Sequence, residues 1–212
     1  QQRGALLDQL VSVEYLRKRL NRPVGGPTWK VVTLVRDPVA RNLSGFFEIL
    51  DLELSYGLEE NLKRKGPDRV MRELIPMFFE HYPDHDIPLT FFDIELNRSL
   101  GVDVYAEPFP KQRGYHIYRN GKVEVLLLKL EQLEQCAGQA FEEFMGIENF
   151  QVVSLNVGSR KSYGDVYKEF QSSIKLPETY LDRMYNSRFA KEFYTQDELA
   201  AFRNRWQAQD AA

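Results

Sequence analysis

Hydrophobic and polar positions change their rhythm near Lys30. Before it, leucines at 6, 7, 10, 16 and 20 recur at helical spacing, and the pattern from residue 4 to 20 ends in Arg17, Lys18 and Arg19, with Arg22 beyond. Cations there suit the negative end of a helix dipole and read as a solvated helix end. The cluster Pro23-Val24-Gly25-Gly26-Pro27 breaks that helix. Val31-Val32-Thr33-Leu34-Val35 then runs almost without polar relief, which predicts a strand covered on both faces in a parallel sheet. The strand stops at Arg36. Asp37 is placed to cap a helix and Pro38 to open it. Val39, Leu43, Phe46, Phe47 and Leu50 form one apolar stripe of that helix, which leaves Arg41, Ser44 and Glu48 on its polar side.

Downstream the pattern is mostly helical. Glu53 to Arg72 is highly charged and interrupted at Lys65-Gly66-Pro67, and a turn-rich loop over residues 80–86 precedes a short helix from Thr90 to Leu100. Asn120-Gly121 is a strong hairpin signal between strands Tyr115 to Tyr118 and Val123 to Leu130. Glu131 to Met145 predicts a helix stopped by Gly146, and Phe150 to Leu155 a further strand. Three helical stretches close the chain. Pro177 opens one, with Tyr180, Leu181, Met184 and Tyr185 inward. The capping box Thr195-Gln196-Asp197-Glu198 opens the last, with Leu199, Phe202 and Trp206 on its inner side. With no repeat or low-complexity tract, residues 1–212 read as one domain.

Composition narrows the function classes. At 212 residues and 43% hydrophobic content the chain can build a real core, while a net charge of −3 argues against the basic face that nucleic-acid binding needs. No apolar run approaches the roughly 18 residues of a membrane span. The single cysteine, Cys136, excludes an intramolecular disulfide and a Cys-based zinc site, and its helical setting reads as simple packing. His81 and His85 are four apart, but Pro83 between them disfavours the helix that would turn both onto one metal. They read, with Asp84 and Asp86, as a solvated loop, and no metal is expected. His116 falls in a strand and reads as exposed or at the core's edge.

The chemistry concentrates at the strand-to-helix turn. Ligands of α/β folds bind where strand carboxyl ends meet helix amino ends, and those amides favour anions. Arg36 sits at that crevice, and Arg41 and Ser44 can line one side of the next helix. Guanidinium, hydroxyl and amide groups together suit a terminal phosphate. The competing reading is an Arg36 paired with a nearby carboxylate.

Val35-Arg36-Asp37-Pro38-Val39-Ala40-Arg41-Asn42-Leu43-Ser44-Gly45-Phe46 resembles the 3′-phosphate-binding motif of sulfotransferases that use 3′-phosphoadenosine 5′-phosphosulfate (PAPS). In that superfamily an Arg ending a strand and a Ser eight residues later hold the phosphate, which implies those roles for Arg36 and Ser44. Val125 to Leu133 is similar to the later strand and "E-D-L" helix start of the same enzymes. Phe92-Asp93-Ile94-Glu95-Leu96, Gly101 to Tyr105, Pro108-Phe109, Asn156, Arg160 to Gly164 and the Phe193-Tyr194…Trp206 end resemble a narrower group, the sulfotransferase-like family of capsular polysaccharide synthesis proteins. Its Asn-Lys-Trp-Tyr-Ser motif keeps Lys161 and Tyr163 here but departs at Arg160, Ser162 and Gly164, so stacking by a Trp is lost at 162.

The resemblance implies an α/β, P-loop-like sulfotransferase fold with a parallel central sheet and a helix-rich C-terminal part. It implies PAPS as co-substrate, hence an adenine-nucleotide partner, and a carbohydrate hydroxyl as acceptor. Lys161 and Tyr163 would complete the nucleotide pocket with Arg36, Arg41 and Ser44. Lys111, Arg113 and Arg119 would face an anionic sugar, though such residues more often form a solvated face. The family's first strand and phosphate-cradling loop find no counterpart between Gln1 and Thr33. The chain is therefore expected to be a piece of a longer protein whose catalytic base lies outside it, with Glu95, beside Asp93, as the fallback base. A bacterial member would be cytoplasmic and a eukaryotic one would face the Golgi lumen. The alternative is a non-catalytic polysaccharide-assembly or interaction module that keeps the fold.

Overall fold

The structure, a computed structural model, describes residues 28–153 and 164–207. Strand β1 (Trp29–Val35) leads through Asp37 into α1 (Pro38–Glu53), where the Asp37 side chain accepts the Val39 amide at 3.0 Å. Helices α2 (Gly57–Lys65) and α3 (Pro67–Glu80) follow, separated by Gly66, whose φ of +80° few other residues would adopt. Next come a short α4 (Ile87–Phe91) and a π-helical turn over Phe92–Arg98. The hairpin of β2 (Tyr115–Arg119) and β3 (Val123–Lys129) then turns at Asn120-Gly121, where Asn120 Oδ1 accepts the Lys122 and Val123 amides. A 3-10 turn, Leu130–Gln132, opens α5 (Leu133–Met145). Four helices end the described chain: α6 (Gly164–Ser173), α7 (Glu178–Tyr185), α8 (Arg188–Phe193) and α9 (Gln196–Trp206).

The sheet has three strands in the order β1-β3-β2, with β1 parallel and β2 antiparallel to β3. The fold is thus mixed α/β with a small open sheet, and the expected parallel central sheet reduces to one parallel pair among the described residues. Phe150 to Val153, the described part of another expected strand, is irregular. The hairpin, the Gly146 stop in the left-handed region and the Thr195–Glu198 capping box form as their sequence signals require.

Two cores flank the sheet. The larger packs α1, α3 and the C-terminal helices over Val35, Val125 and Leu127. Within it Phe46 meets Phe47, Phe78 and Tyr82 edge-on at 5.4–5.9 Å. The smaller packs Cys136, Ala137, Ala140 and Phe144 of α5 on Tyr115, Ile117, Leu126 and Leu128, so Cys136 is a buried packing residue. Register places Val32 beside Leu126 and Leu34 beside Leu128, on the α5 side. Yet Val32 is 46% and Leu34 47% exposed. The expectation of a strand covered on both faces fails there, because α5 packs across β2 and β3 and meets β1 at Lys30, whose ammonium bonds the Phe144 carbonyl, leaving Val32 and Leu34 open. No strand pairs with the outer edge of β1 among the described residues.

Candidate functional site

Register builds the site. Val35 pairs with Lys129, so Arg36-Asp37 and Leu130-Glu131 leave the carboxyl edge of the parallel pair side by side. Glu131 Oε1 accepts the Asp37 amide at 2.7 Å, and its Oε2 accepts the Tyr194 hydroxyl at 3.1 Å. Asp37 is 2% exposed, and besides the Val39 amide it takes the Tyr185 hydroxyl at 3.0 Å and the Trp206 indole N–H at 3.2 Å. Burial raises the carboxyl pKa of Asp37 above its usual range, against the opposing pull of the Trp206, Tyr185 and Val39 donors. Burial also raises Glu131, opposed by the Asp37 amide.

Lys129, wholly buried, lies next in this layer. Its ammonium donates to both oxygens of Glu198 at 2.9 and 3.0 Å and to the Lys111 carbonyl at 3.2 Å. Burial alone would raise the Glu198 pKa, but Lys129 and the Thr195 amide hold it below the usual value. The carboxyl edge of the sheet is thus clamped from α7 through Tyr185 and from α9 through Glu198 and Trp206.

Arg36 follows β1, and its guanidinium makes no hydrogen bond or ion pair among the described residues. It lines a pocket of about 210 Å³ together with Arg41, Thr33 and an apolar wall of Leu34, Ile87, Pro88, Phe91, Phe92 and Phe189. The expected competitor, a carboxylate paired with Arg36, is absent among those residues. Arg41 makes three hydrogen bonds, all from Nη1: to Asn42 Oδ1 at 3.2 Å, Tyr82 Oη at 3.0 Å and the Asp84 carbonyl at 3.2 Å. These acceptors are neutral, so they orient the guanidinium and leave its charge in place. Such a pair of arginines can bind an oxyanion through N–H donors and charge.

The remaining predicted residues are scattered. Ser44 is half-buried on α1 and does not line the pocket. Glu95 is exposed on the π-helical turn, also away from the pocket lining. Lys161 and Tyr163 lie outside the described residues, as do Asn156 and the Arg160–Ser162 part of the proposed motif.

His85 corrects the solvated-loop expectation. Its Nε2–H donates to the Phe78 carbonyl at 2.8 Å, and its Nδ1 accepts the Tyr180 hydroxyl at 2.9 Å, while that hydroxyl accepts from Asn42 Nδ2 at 3.0 Å. The Phe78 carbonyl can only accept, which puts a proton on Nε2, and burial lowers the pKa of the imidazole, which favours the neutral ring. His81 caps α3 on the surface, and no group of metal-ligating side chains gathers among the described residues. His116 is half-buried and faces Glu107 at 3.0 Å.

Sequence reasoning missed the pocket wall and the clamp. Phe92 enters the sequence reading only through the family resemblance, Phe91 and Phe189 not at all, and nothing local tells that the three meet. One signal was present: Lys129 closes the apolar run Val125-Leu126-Leu127-Leu128, and a lysine inside a buried strand demands a partner.

The class that fold and site define is a half-open mixed α/β unit with two arginines opening onto one pocket at a strand-to-helix junction. The sequence comparison is narrower. Residues 73–195 match the family described as "Putative capsular polysaccharide synthesis protein", and the chain belongs to that family. The matched span contains the Phe pocket wall, Lys129, Glu131 and Tyr194, while Arg36, Asp37, Arg41 and Ser44 precede it. No curated protein and no solved structure matches the chain. Among the described residues no helix is long and apolar enough to cross a membrane.

Proposed function

We propose that the chain acts in polysaccharide synthesis as the donor-binding part of a PAPS-dependent sulfotransferase, with Arg36 taking the 3′-phosphate of the nucleotide. One observation carries this reading. Arg36 ends a parallel strand, opens onto a pocket and has no carboxylate partner among the described residues, within a sequence that resembles a 3′-phosphate motif. Arg41 adds a second cation on the same pocket. The polysaccharide part rests on family membership.

In the reaction so proposed, an acceptor hydroxyl oxygen attacks sulfur and the bond from sulfur to the bridging phosphate oxygen breaks. Adenosine 3′,5′-bisphosphate leaves, and the hydroxyl proton passes to a base. This chain's part is to bind and orient the donor. Arg36 and Arg41 supply charge and directed N–H groups, and the Asp37–Glu131 contact fixes the turn that carries Arg36. Ser44, Lys161 and Tyr163 would complete the nucleotide site, and Glu95 remains the fallback base.

Thermal shift with adenosine 3′,5′-bisphosphate against 5′-AMP tests the assignment. A ligand at about 100 times its Kd stabilises by roughly 2.7 kcal/mol. The bisphosphate should protect more strongly than 5′-AMP, and Arg36→Ala should abolish that preference. Equal protection by the two ligands, or a preference that survives Arg36→Ala, would remove the 3′-phosphate role.

A further inference from the structure

We propose that the pocket beside Arg36 prefers an oxyanion with an aromatic ring within reach of it, as in an aryl phosphate or a nucleotide, over a bare anion or one carried on a sugar alone. This deepens the anion site of the preceding reading and rests on it. The polar lining is Thr33 and two arginines, and the rest is hydrocarbon: Leu34, Ile87, Pro88, Phe91, Phe92 and Phe189. A sugar site needs directional acceptors and donors for several hydroxyls, and this wall has none to offer. Every cation of the lining keeps its charge, since Arg36 is unpaired among the described residues and Arg41 bonds only neutral acceptors there. Charge therefore specifies an anion at one end, and the phenylalanines specify what is attached to it.

Size sharpens the class. About 210 Å³ is below the roughly 300–1,000 Å³ of sites that enclose a drug-sized ligand. The pocket takes one ring and its anion and leaves the remainder of a larger molecule outside. One wall residue is poorly covered without a ligand: Phe91 is 37% exposed. An apolar ring would remove it from water, which is the driving force for preferring it. The ring can come from the base of a phosphorylated nucleotide or from an aromatic acceptor.

The experiment is titration of the chain, by calorimetry or thermal shift, with phenyl phosphate, inorganic phosphate, glucose 1-phosphate and adenosine 3′,5′-bisphosphate. Phenyl phosphate should bind at least about tenfold more tightly than inorganic phosphate or glucose 1-phosphate. Phe91→Ala, at a position 37% exposed, should reduce phenyl phosphate affinity several-fold and leave inorganic phosphate unchanged. Arg36→Gln should weaken every anion. Equal affinity for phenyl and inorganic phosphate, or no effect of Phe91→Ala, overturns the inference. Ring preference with equal binding of the bisphosphate and 5′-AMP upholds the pocket and removes the 3′-phosphate role. The reverse pattern, a bisphosphate preference without ring selectivity, removes the inference and leaves that role standing. If the bisphosphate loses affinity in Phe91→Ala, the ring is the nucleotide base; if it does not while phenyl phosphate does, the ring belongs to an acceptor.

Discussion

Asp37→Ala should be one of the most damaging substitutions in the chain, for reasons that can be added up from its contacts. The side chain caps α1 by accepting the Val39 amide, and loss of such a cap costs about 1 kcal/mol. It also satisfies the Tyr185 hydroxyl and the Trp206 indole N–H, both at buried side chains. Each stranded buried donor costs about 1–3 kcal/mol, and because the contacts share one carboxylate the terms overlap, which gives roughly 3–5 kcal/mol in all. At about 2–4 °C per kcal/mol for a chain of this size, Tm should fall by about 10 °C. Chemical denaturation followed by tryptophan fluorescence measures it, since Trp206 reports on the lost contact. Adding Tyr185→Phe to Asp37→Ala should cost far less than Tyr185→Phe does alone, because the stranded hydroxyl is then gone. A loss near 1 kcal/mol, or strict additivity in that cycle, would refute the account and reduce Asp37 to a helix cap. Asp37→Asn adds a pH signature. Burial raises the folded pKa of Asp37 above its ordinary 3.8, so the folded state holds the proton to higher pH than the unfolded chain does. The stability this contributes is complete below the unfolded value and is lost as pH rises through the folded one. Asparagine has no such proton, so its penalty relative to wild type should shrink over that rise.

The other predictions concern neighbours of the site. A Cβ added at Gly45 would fall inside van der Waals contact of Tyr82 Oη, the acceptor that orients Arg41. Gly45→Ala should therefore weaken anion binding several-fold and fail to deliver the gain of about 1 kcal/mol that alanine normally brings to a helix; unchanged affinity and a higher Tm would contradict this. Glu198→Ala would leave the wholly buried Lys129 ammonium without its carboxylate and cost about 3–5 kcal/mol by denaturant titration, and a double variant Lys129→Met, Glu198→Ala should recover much of it. Because Lys129 holds the folded Glu198 pKa below its unfolded value, the pair's stabilisation is present above that unfolded value and lost as pH falls through the folded one. Wild type should therefore lose stability on acidification more steeply than the double variant.

What could be read in the sequence was local. The strand ending at Val35, the Asp37-Pro38 helix start, the Asn120-Gly121 hairpin, the Gly146 stop and the Thr195 capping box are each decided by residues a few positions apart. The errors came from neighbours in space. Leu34 belongs to a run that looks buried on both sides, but burial depends on whether α5 reaches along β1 to cover it, and α5 meets β1 at Lys30 and leaves Leu34 open. His85 looks like a loop histidine because its partners are the Phe78 carbonyl in the preceding helix and Tyr180, which is 95 positions away. The anion motif was legible at Arg36 and Arg41 for chemical reasons, since cations at a strand end are conspicuous. The phenylalanine wall was not, because Phe91, Phe92 and Phe189 are spent on helices whose packing no short window predicts.

The way Asp37 is held explains how a site on a half-open sheet can stay ordered. Arg36 stands where β1 ends, on a strand with no pairing partner on its outer edge among the described residues, so the sheet fixes it from one side. The next residue supplies the other constraint. Glu131 of the neighbouring strand's exit grips the Asp37 amide, while Tyr185 and Trp206 grip its carboxylate from α7 and α9. Those contacts lie on the main chain and side chain of one residue, so the turn cannot rotate without breaking bonds to three separate elements. Arg36 itself is left out of the clamp. Its backbone is fixed and its guanidinium is uncommitted, which is the division of labour that a preorganised anion site requires.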